Sequence, residues 1–479
     1  MSEVNIEDID LKTYKQNLTI TKDIRYKYGE INTPFYLIEN MLELFNKNNS
    51  FNVFSDKNKK WLDIGAGCGY FSIVLFKKLY EGLRYVIINN DERKNHIIKN
   101  MIYMAELRED NWNILESKQL FTNNCNIIKG NFLSINDEYI FEKVGKKFDY
   151  IIGNPPYNNN GIKKVPTNKN KGGYDADYEN NNSSDNDIQN NNTNKNNKED
   201  DCSTVWIPFI KKSINLLNNN GQMVVVIPSI WMKPDKAHMY HLLTSYKLEY
   251  IHCMNNTETN KIFNKCAQTP TCYFKLTKTK HNLKYSKEFV ERNVSVYDKH
   301  FGSYIEWSIL NNNPIPVFGV SILKKVFEKL KNNPDKHLIV NKSNLPSKKS
   351  NFSLNKTKTN EYQCINTCKL IGENKDTPSL VIEYSNLPQS FYGKPKIVLS
   401  HKMYGFPYID IHGLYGISNR DNYVILNKSL RDMNILKLFL STKLALYLFE
   451  STRYRMKYLE KYIFDLIPDI TLFEYFKDI

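Results

Sequence analysis

The sequence lacks a cysteine framework. Eight cysteines are scattered over 479 residues, and the two close pairs, Cys266/Cys272 and Cys364/Cys368, do not have the two-residue gap usual at zinc sites. They read as free thiols of a reducing compartment, and no metal is expected. No apolar run approaches the length of a membrane span. The N-terminus, Met1-Ser2-Glu3-Val4-Asn5, has neither the basic nor the apolar region of a signal peptide. The expectation is a soluble, intracellular protein with no membrane partner. Acids are in short supply, 51 Asp and Glu against 66 Lys and Arg, for a formal net charge of +15. That surplus favours a polyanionic partner, nucleic acid first. A bias toward Asn, Lys, Ile and Tyr supplies part of it. Internal repeats are absent too.

The length suits two or three cores rather than one. Near the N-terminus, Pro34 to Phe45 reads as an amphipathic helix, with Asn32-Thr33 as its cap. Apolar strand runs then alternate with helices: Lys60-Trp61-Leu62-Asp63, a helix Tyr70 to Leu79, Tyr85-Val86-Ile87-Ile88, a helix Glu92 to Ala105, Asn126-Ile127-Ile128 and Phe148 to Ile152. This alternation implies a parallel sheet with right-handed crossovers. Asn158 to Asp201 is polar and too poor in apolar residues to offset its chain entropy, so it reads as a mobile insert. The pattern resumes with a helix Trp206 to Leu217 that Asn220-Gly221 ends. Strands Met223 to Ile227, Leu248 to Cys253 and Thr271 to Leu276 follow. After about Lys280 the alternation fades. A strand-rich block, Lys394 to Leu426, and helices Asn434 to Phe449 and Tyr458 to Leu466 close the chain. The expected domains are 1–285, with the insert at 158–201, and 286–479.

Two motifs carry chemistry. Asp63-Ile64-Gly65-Ala66-Gly67-Cys68-Gly69 joins a strand to a helix. Gly65, Gly67 and Gly69 let the backbone turn sharply and approach a nucleotide-like ligand, with a helix N-terminus behind them. The spacing is not that of dinucleotide folds. Asp63 is placed to bind a cofactor ammonium. Asn154-Pro155-Pro156-Tyr157, after an apolar strand, is far more specific. Its prolines fix the backbone so that the Asn154 side-chain oxygen and the Pro155 carbonyl point together. Both can accept from one amino group, which draws the nitrogen lone pair out of ring conjugation. Tyr157 can stack on the base. Together the motifs suggest methyl transfer from S-adenosylmethionine to an exocyclic amine.

From Lys27-Tyr28-Gly29-Glu30-Ile31-Asn32-Thr33-Pro34, through the glycine turn, Gly130-Asn131-Phe132-Leu133 and the Asn-Pro-Pro-Tyr box, to Ile227-Pro228-Ser229, the chain resembles the gamma-class N6-adenine DNA methyltransferases. Weaker similarity continues in Lys394-Pro395-Lys396-Ile397-Val398, in Leu414-Tyr415-Gly416 and from Tyr458 to Pro468. The resemblance implies an α/β, Rossmann-like class I methyltransferase with a mixed sheet and helices on both faces, plus a C-terminal α+β target-recognition domain. It implies S-adenosylmethionine contacts from Thr33, Pro34, Asp63, Gly65, Gly67, Gly69, Asn89, Asn131 and Phe132, and catalysis by Asn154, Pro155, Pro156 and Tyr157. Asn89 and Asn131 stand where the family has acids, which implies looser cofactor binding. Phe263 falls where the family places a second aromatic against the flipped base. Lys394, Lys396, Lys402, Arg420, Arg453 and Arg455 are candidates for DNA contact. The expected partner is double-stranded DNA bound by a monomer, with a separately encoded restriction endonuclease left open. The alternatives are an RNA adenine-N6 methyltransferase, a protein-glutamine methyltransferase or a catalytically weakened DNA-binding relative.

Overall fold

The computed structural model describes residues 20–117, 125–159, 203–235, 237–267, 269–280, 292–309, 313–331, 333–374, 376–401, 405–454 and 459–473. The chain divides into two compact units, Met1–Lys287 and Glu288–Ile479. Most of the polar insert lies outside the described residues.

The first unit opens with helices α1 (Lys22–Tyr28) and α2 (Phe35–Asn46). Leu37, Ile38, Met41, Leu42, Leu44 and Phe45 give α2 one buried face. Pro34 holds its cap position, not Asn32 or Thr33, and its carbonyl accepts the Leu37 and Ile38 N–H groups. There follow β1 (Trp61–Ile64), α3 (Tyr70–Gly82), α4 (Asn90–His96), β2 (Ile102–Glu106), α5 (Glu109–Ser117), β3 (Asn126–Lys129), α6 (Asp137–Val144) and β4 (Phe148–Gly153). After a two-residue pairing of β5 (Asn158–Asn159) with β6 (Ser203–Thr204) come α7 (Trp206–Leu216), β7 (Leu217–Pro228), α8 (Met239–Thr244), β8 (Tyr246–Met254), α9 (Asn256–Ile262) and β9 (Thr271–Lys280).

Within this unit the strand order is β8-β9-β7-β4-β1-β2-β3. The strands from β7 to β3 run parallel. β9 runs antiparallel to β7, and β8 antiparallel to β9, so the sheet is mixed. Under α2 the fully buried Trp61 stacks on Tyr150 at 4.1 Å between ring centroids and meets Phe45 edge-on at 5.1 Å. This aromatic block fixes β1 and β4 side by side.

One segment departs from the sequence reading. Tyr85-Val86-Ile87-Ile88 is a turn, not a strand, with Tyr85 and Ile88 79% and 84% exposed. The buried Arg93 guanidinium holds it by donating to the Ile87 carbonyl at 2.8 Å. The second strand is instead Ile102–Glu106, buried throughout, where a helix was expected. A run of four apolar residues is ambiguous by periodicity, and burial beside β1 decides which run becomes the strand. Likewise β7 starts at Leu217 and passes through Asn220-Gly221 instead of ending a helix there.

The second unit is richer in strands. It holds a hairpin β10 (Asn293–Asp298)/β11 (Ser303–Ser308), helix α10 (Val320–Lys331) and two four-stranded sheets. One orders β12 (Asn341–Lys342), β19 (Asn422–Ile425), β16 (Lys396–Ser400) and β17 (Tyr408–Asp410); the other β13 (Phe352–Ser353), β15 (Thr377–Ser385), β14 (Tyr362–Ile371) and β18 (Gly416–Ile417). Ile365, Cys368, Val398, Ile417 and Val424 form a buried cluster drawn from both sheets. The single helix expected over 434–449 is two, α11 (Leu430–Leu440) and α12 (Lys443–Ser451), because the Thr442 hydroxyl caps a new start by accepting the Ala445 N–H. The expected helix from Tyr458 is a 3₁₀ helix, Lys461–Leu466.

Candidate active site

The glycine turn links β1 to α3, with Gly65, Gly67 and Gly69 at φ +69°, +53° and +91°. Those angles suit glycine and disfavour residues with a Cβ. The turn is anchored on the neighbouring strand. The Ala66 N–H donates to the Ala105 carbonyl at 2.9 Å, and the Gly67 N–H donates to Glu106 Oε2 at 2.7 Å. Beside it lies a cavity of about 270 Å³ lined by Glu30, Thr33, Gly65, Gly67, Glu106, Asn131, Phe132, Asn154, Pro156 and Phe209, among others. Phe132 and Phe209, 5.3 Å apart, form an aromatic wall.

The parallel register of β4 with β1 sets Gly153 opposite Ile64. A Cβ on Gly153 would lie 2.6 Å from the Ile64 carbonyl oxygen, so the strand end must be glycine for the box to leave it here. The box then crosses the turn, and the Asn154 carbonyl oxygen lies 3.7 Å from where a Gly65 Cβ would be. Asn154 Nδ2 donates to the Thr33 hydroxyl at 3.1 Å. Asn154 Oδ1 and the Tyr157 hydroxyl are both buried without a hydrogen-bond partner. The tetrapeptide thus holds two polar atoms that the protein itself leaves unsatisfied. Burial pushes the Tyr157 phenol well up, so the ring is neutral.

Acids gather at the strand ends. Glu106, at the end of β2, also accepts the Arg108 N–H at 2.8 Å and Asn111 Nδ2 at 3.1 Å on Oε1. Burial pushes its carboxyl up. Arg108 pairs with Glu30, and Asn111 Nδ2 reaches Glu30 Oε1 at 3.3 Å. Asp63 is fully buried. Its Oδ2 accepts the Ser72 hydroxyl at 2.8 Å while Oδ1 has no partner. Desolvation raises it to about 7.

The structure thus gathers Thr33, Gly65, Gly67, Asn131, Phe132, Asn154 and Pro156 at one cavity. Pro34, Asp63, Gly69, Pro155, Tyr157 and Phe263 do not line it. Phe263 is buried just past α9. Asn89 is a correction. It does not end a strand, and its side chain caps α4 by accepting the Glu92 N–H at 2.9 Å. The acid at the end of the second strand is Glu106, which the sequence reading missed with the strand itself. The signal was present, because Glu106 is the charge that closes the apolar run Ile102-Tyr103-Met104-Ala105. Asn131 is exposed, and its Oδ1 accepts the Leu133 N–H at 3.1 Å.

Lys396 is the second correction. It is fully buried, and its Nζ donates to Asp410 Oδ2 at 2.5 Å and to the Phe391 and Lys394 carbonyls at 3.1 Å each. A lysine so enclosed cannot neutralise a phosphate. Lys394 is exposed, Arg420 is half-buried, and Arg453 lies 3.8 Å from Glu450. Lys402 and Arg455 lie outside the described residues. Among the described residues no cluster of His, Cys, Asp or Glu could hold a metal, and no helix is long and apolar enough to cross a membrane. The seven cysteines among the described residues are free thiols.

A glycine cradle, an aromatic wall and carboxylates beside them fit a nucleoside joined to an amino-acid tail. The fold is the class I, Rossmann-like methyltransferase fold with a β-rich second unit, and the cofactor is S-adenosylmethionine. Residues 83–263 match the Eco57I restriction-modification methylase family, so the chain carries a domain related to the DNA methyltransferases of restriction-modification systems. No curated protein matches. Similar solved structures include the M protein of the type I restriction enzyme EcoKI, at 17% identity over 57% of this chain and 48% of that one with a TM-score of 0.35. A type I modification subunit from Vibrio vulnificus YJ016 shares 13% over 64% and 53%, TM-score 0.36. The type IIL restriction-modification enzyme MmeI, solved with DNA, shares 12% over 92% and 68%, TM-score 0.44. The chain spans about half the length of the first two.

Proposed function

We propose that the protein transfers a methyl group from S-adenosylmethionine to the N6 amine of adenine in a specific duplex DNA sequence, with the target base rotated out of the helix. The observation that carries this reading is Asn154 in the wall of the glycine-lined cavity, with an Oδ1 that the rest of the protein leaves unpaired. An amide oxygen accepts hydrogen bonds, and the exocyclic amine of adenine is a donor of the right kind.

The cofactor supplies an electrophilic methyl group on a sulfonium. Glu106 and the glycine turn would hold its nucleoside, with Phe132 against the adenine and the Glu30 segment over the opening. Asp63, buried behind the turn, would favour its ammonium. Asn154 Oδ1 and the Pro155 carbonyl would accept both amine hydrogens and turn the nitrogen lone pair toward the methyl. Tyr157 would stack on the base, with Phe263 contributing to the base pocket. No general base is needed before attack, so rate comes from positioning and electrostatics. Extruding the base costs roughly a few kcal/mol, which contacts to phosphate from the second unit, Lys394 and Arg420 among them, would offset. One copy of the chain carries both units, and duplex DNA is its partner.

The test is modification-sensitive sequencing of DNA from a host expressing the protein. N6-methyladenine should appear at one short sequence and vanish with Asn154→Ala. Methylation persisting in that variant would refute the assignment, and methyl uptake by structured RNA in place of duplex DNA would move the substrate.

A further inference from the structure

We infer that Thr33 is a positioning residue for the transfer step, acting by anchoring the Asn154 side chain where its oxygen can meet the acceptor. This rests on the function proposed above and adds to it a second role for a residue of the cofactor cavity.

An asparagine side chain that no partner holds samples several rotamers. At Asn154 the anchor is a residue 121 positions away, since Nδ2 donates to Thr33 Oγ1 at 3.1 Å. Oδ1 is then left buried and without a partner. Thr33 is itself 3% exposed, so water does not compete for its hydroxyl.

The segment that carries Thr33 is itself pinned to the box. Just upstream, Gly29 approaches so closely that a Cβ there would lie 2.3 Å from the Asn158 carbonyl oxygen and 3.2 Å from Pro156 Cβ. Glu30 on the same segment pairs with Arg108. The segment is therefore held at the box on one side and at the end of β2 on the other, and Thr33 cannot drift from the amide it orients.

The experiment is a cycle of Thr33→Val, Asn154→Ala and the double variant, with Thr33→Ser as the rescue. In cofactor-free protein, Thr33→Val should lower the unfolding temperature in the wild-type background and have little effect in the Asn154→Ala background. Equal losses in both backgrounds would mean that Thr33 only packs, and would overturn the inference. At saturating S-adenosylmethionine, Thr33→Val should lower kcat about tenfold, the worth of one hydrogen bond in orienting the amide, with KM for the cofactor within about threefold, and Thr33→Ser should restore kcat. A raised cofactor KM with kcat unchanged would make Thr33 a cofactor contact and nothing more. If the wild type methylated nothing, the proposed function would fail, while the unfolding cycle would still decide whether the amide is locked.

Discussion

Glu106 Oε2 accepts the Gly67 N–H at 2.7 Å, which ties the end of the second strand to the middle of the glycine turn. The bond makes the carboxylate part of the cradle as well as a group facing the cavity. Two further donors, the Arg108 N–H and Asn111 Nδ2, hold the other oxygen. A carboxylate so held is fixed in place at the cavity, where the proposed function has it hold the nucleoside of the cofactor.

Glu106→Gln keeps the shape and removes the charge. Affinity for S-adenosylmethionine should fall by roughly tenfold or more, since charge-assisted hydrogen bonds are about twice as strong as neutral ones. Titration calorimetry reads this directly, and an unchanged affinity would remove Glu106 from the cofactor site.

Asn89 gives the opposite expectation. Its side chain caps α4. Asn89→Ala should lower stability by about 1 kcal/mol, a usual figure for a lost cap, and leave cofactor affinity as it was. Urea unfolding and calorimetry on the same variant separate the two effects.

Asp63 predicts a pH dependence. Desolvation raises its folded pKa to about 7. The folded state then holds a proton that the unfolded chain releases near pH 4. The contribution of Asp63 to stability is complete below the unfolded pKa and is lost as pH climbs through the folded one. Asp63→Asn removes this slope. The gap in unfolding free energy between wild type and variant should therefore move against the wild type between about pH 4.5 and pH 8, by on the order of 4 kcal/mol at roughly 1.4 kcal/mol per pKa unit. A gap constant with pH would show an Asp63 that titrates normally.

In the second unit, Lys396 and Asp410 form a buried ion pair, and Asp410 also accepts the Leu414 and Tyr415 N–H groups at 2.9 and 3.0 Å. Removing one partner leaves a buried charge alone. Lys396→Met should cost about 3–5 kcal/mol, far more than loss of a surface lysine. If the variant unfolds at the wild-type denaturant midpoint, the pair contributes nothing to stability.

The two motifs were legible because each is local. The glycine turn and the Asn-Pro-Pro-Tyr box are contiguous in sequence, and their backbone demands, positive φ and fixed proline torsions, are written in residue type. The second strand was not legible in the same way. Tyr85 to Ile88 and Ile102 to Ala105 are both short apolar runs, and local preference does not rank them. Lys396 was misread for a related reason. Residue type says that lysine is usually outside, and only its pairing with Asp410 allows it to be inside.

By itself, then, the order of residues determined the alternation of strands and helices, the glycine turn and the Asn-Pro-Pro-Tyr box, because short-range sterics and periodicity act between near neighbours. Tertiary structure decided which acid closes the second strand, which lysine is buried and which hydroxyl anchors Asn154. Those choices depend on groups from 14 to 121 residues apart, and burial and hydrogen bonding select among them only once the sheets have assembled.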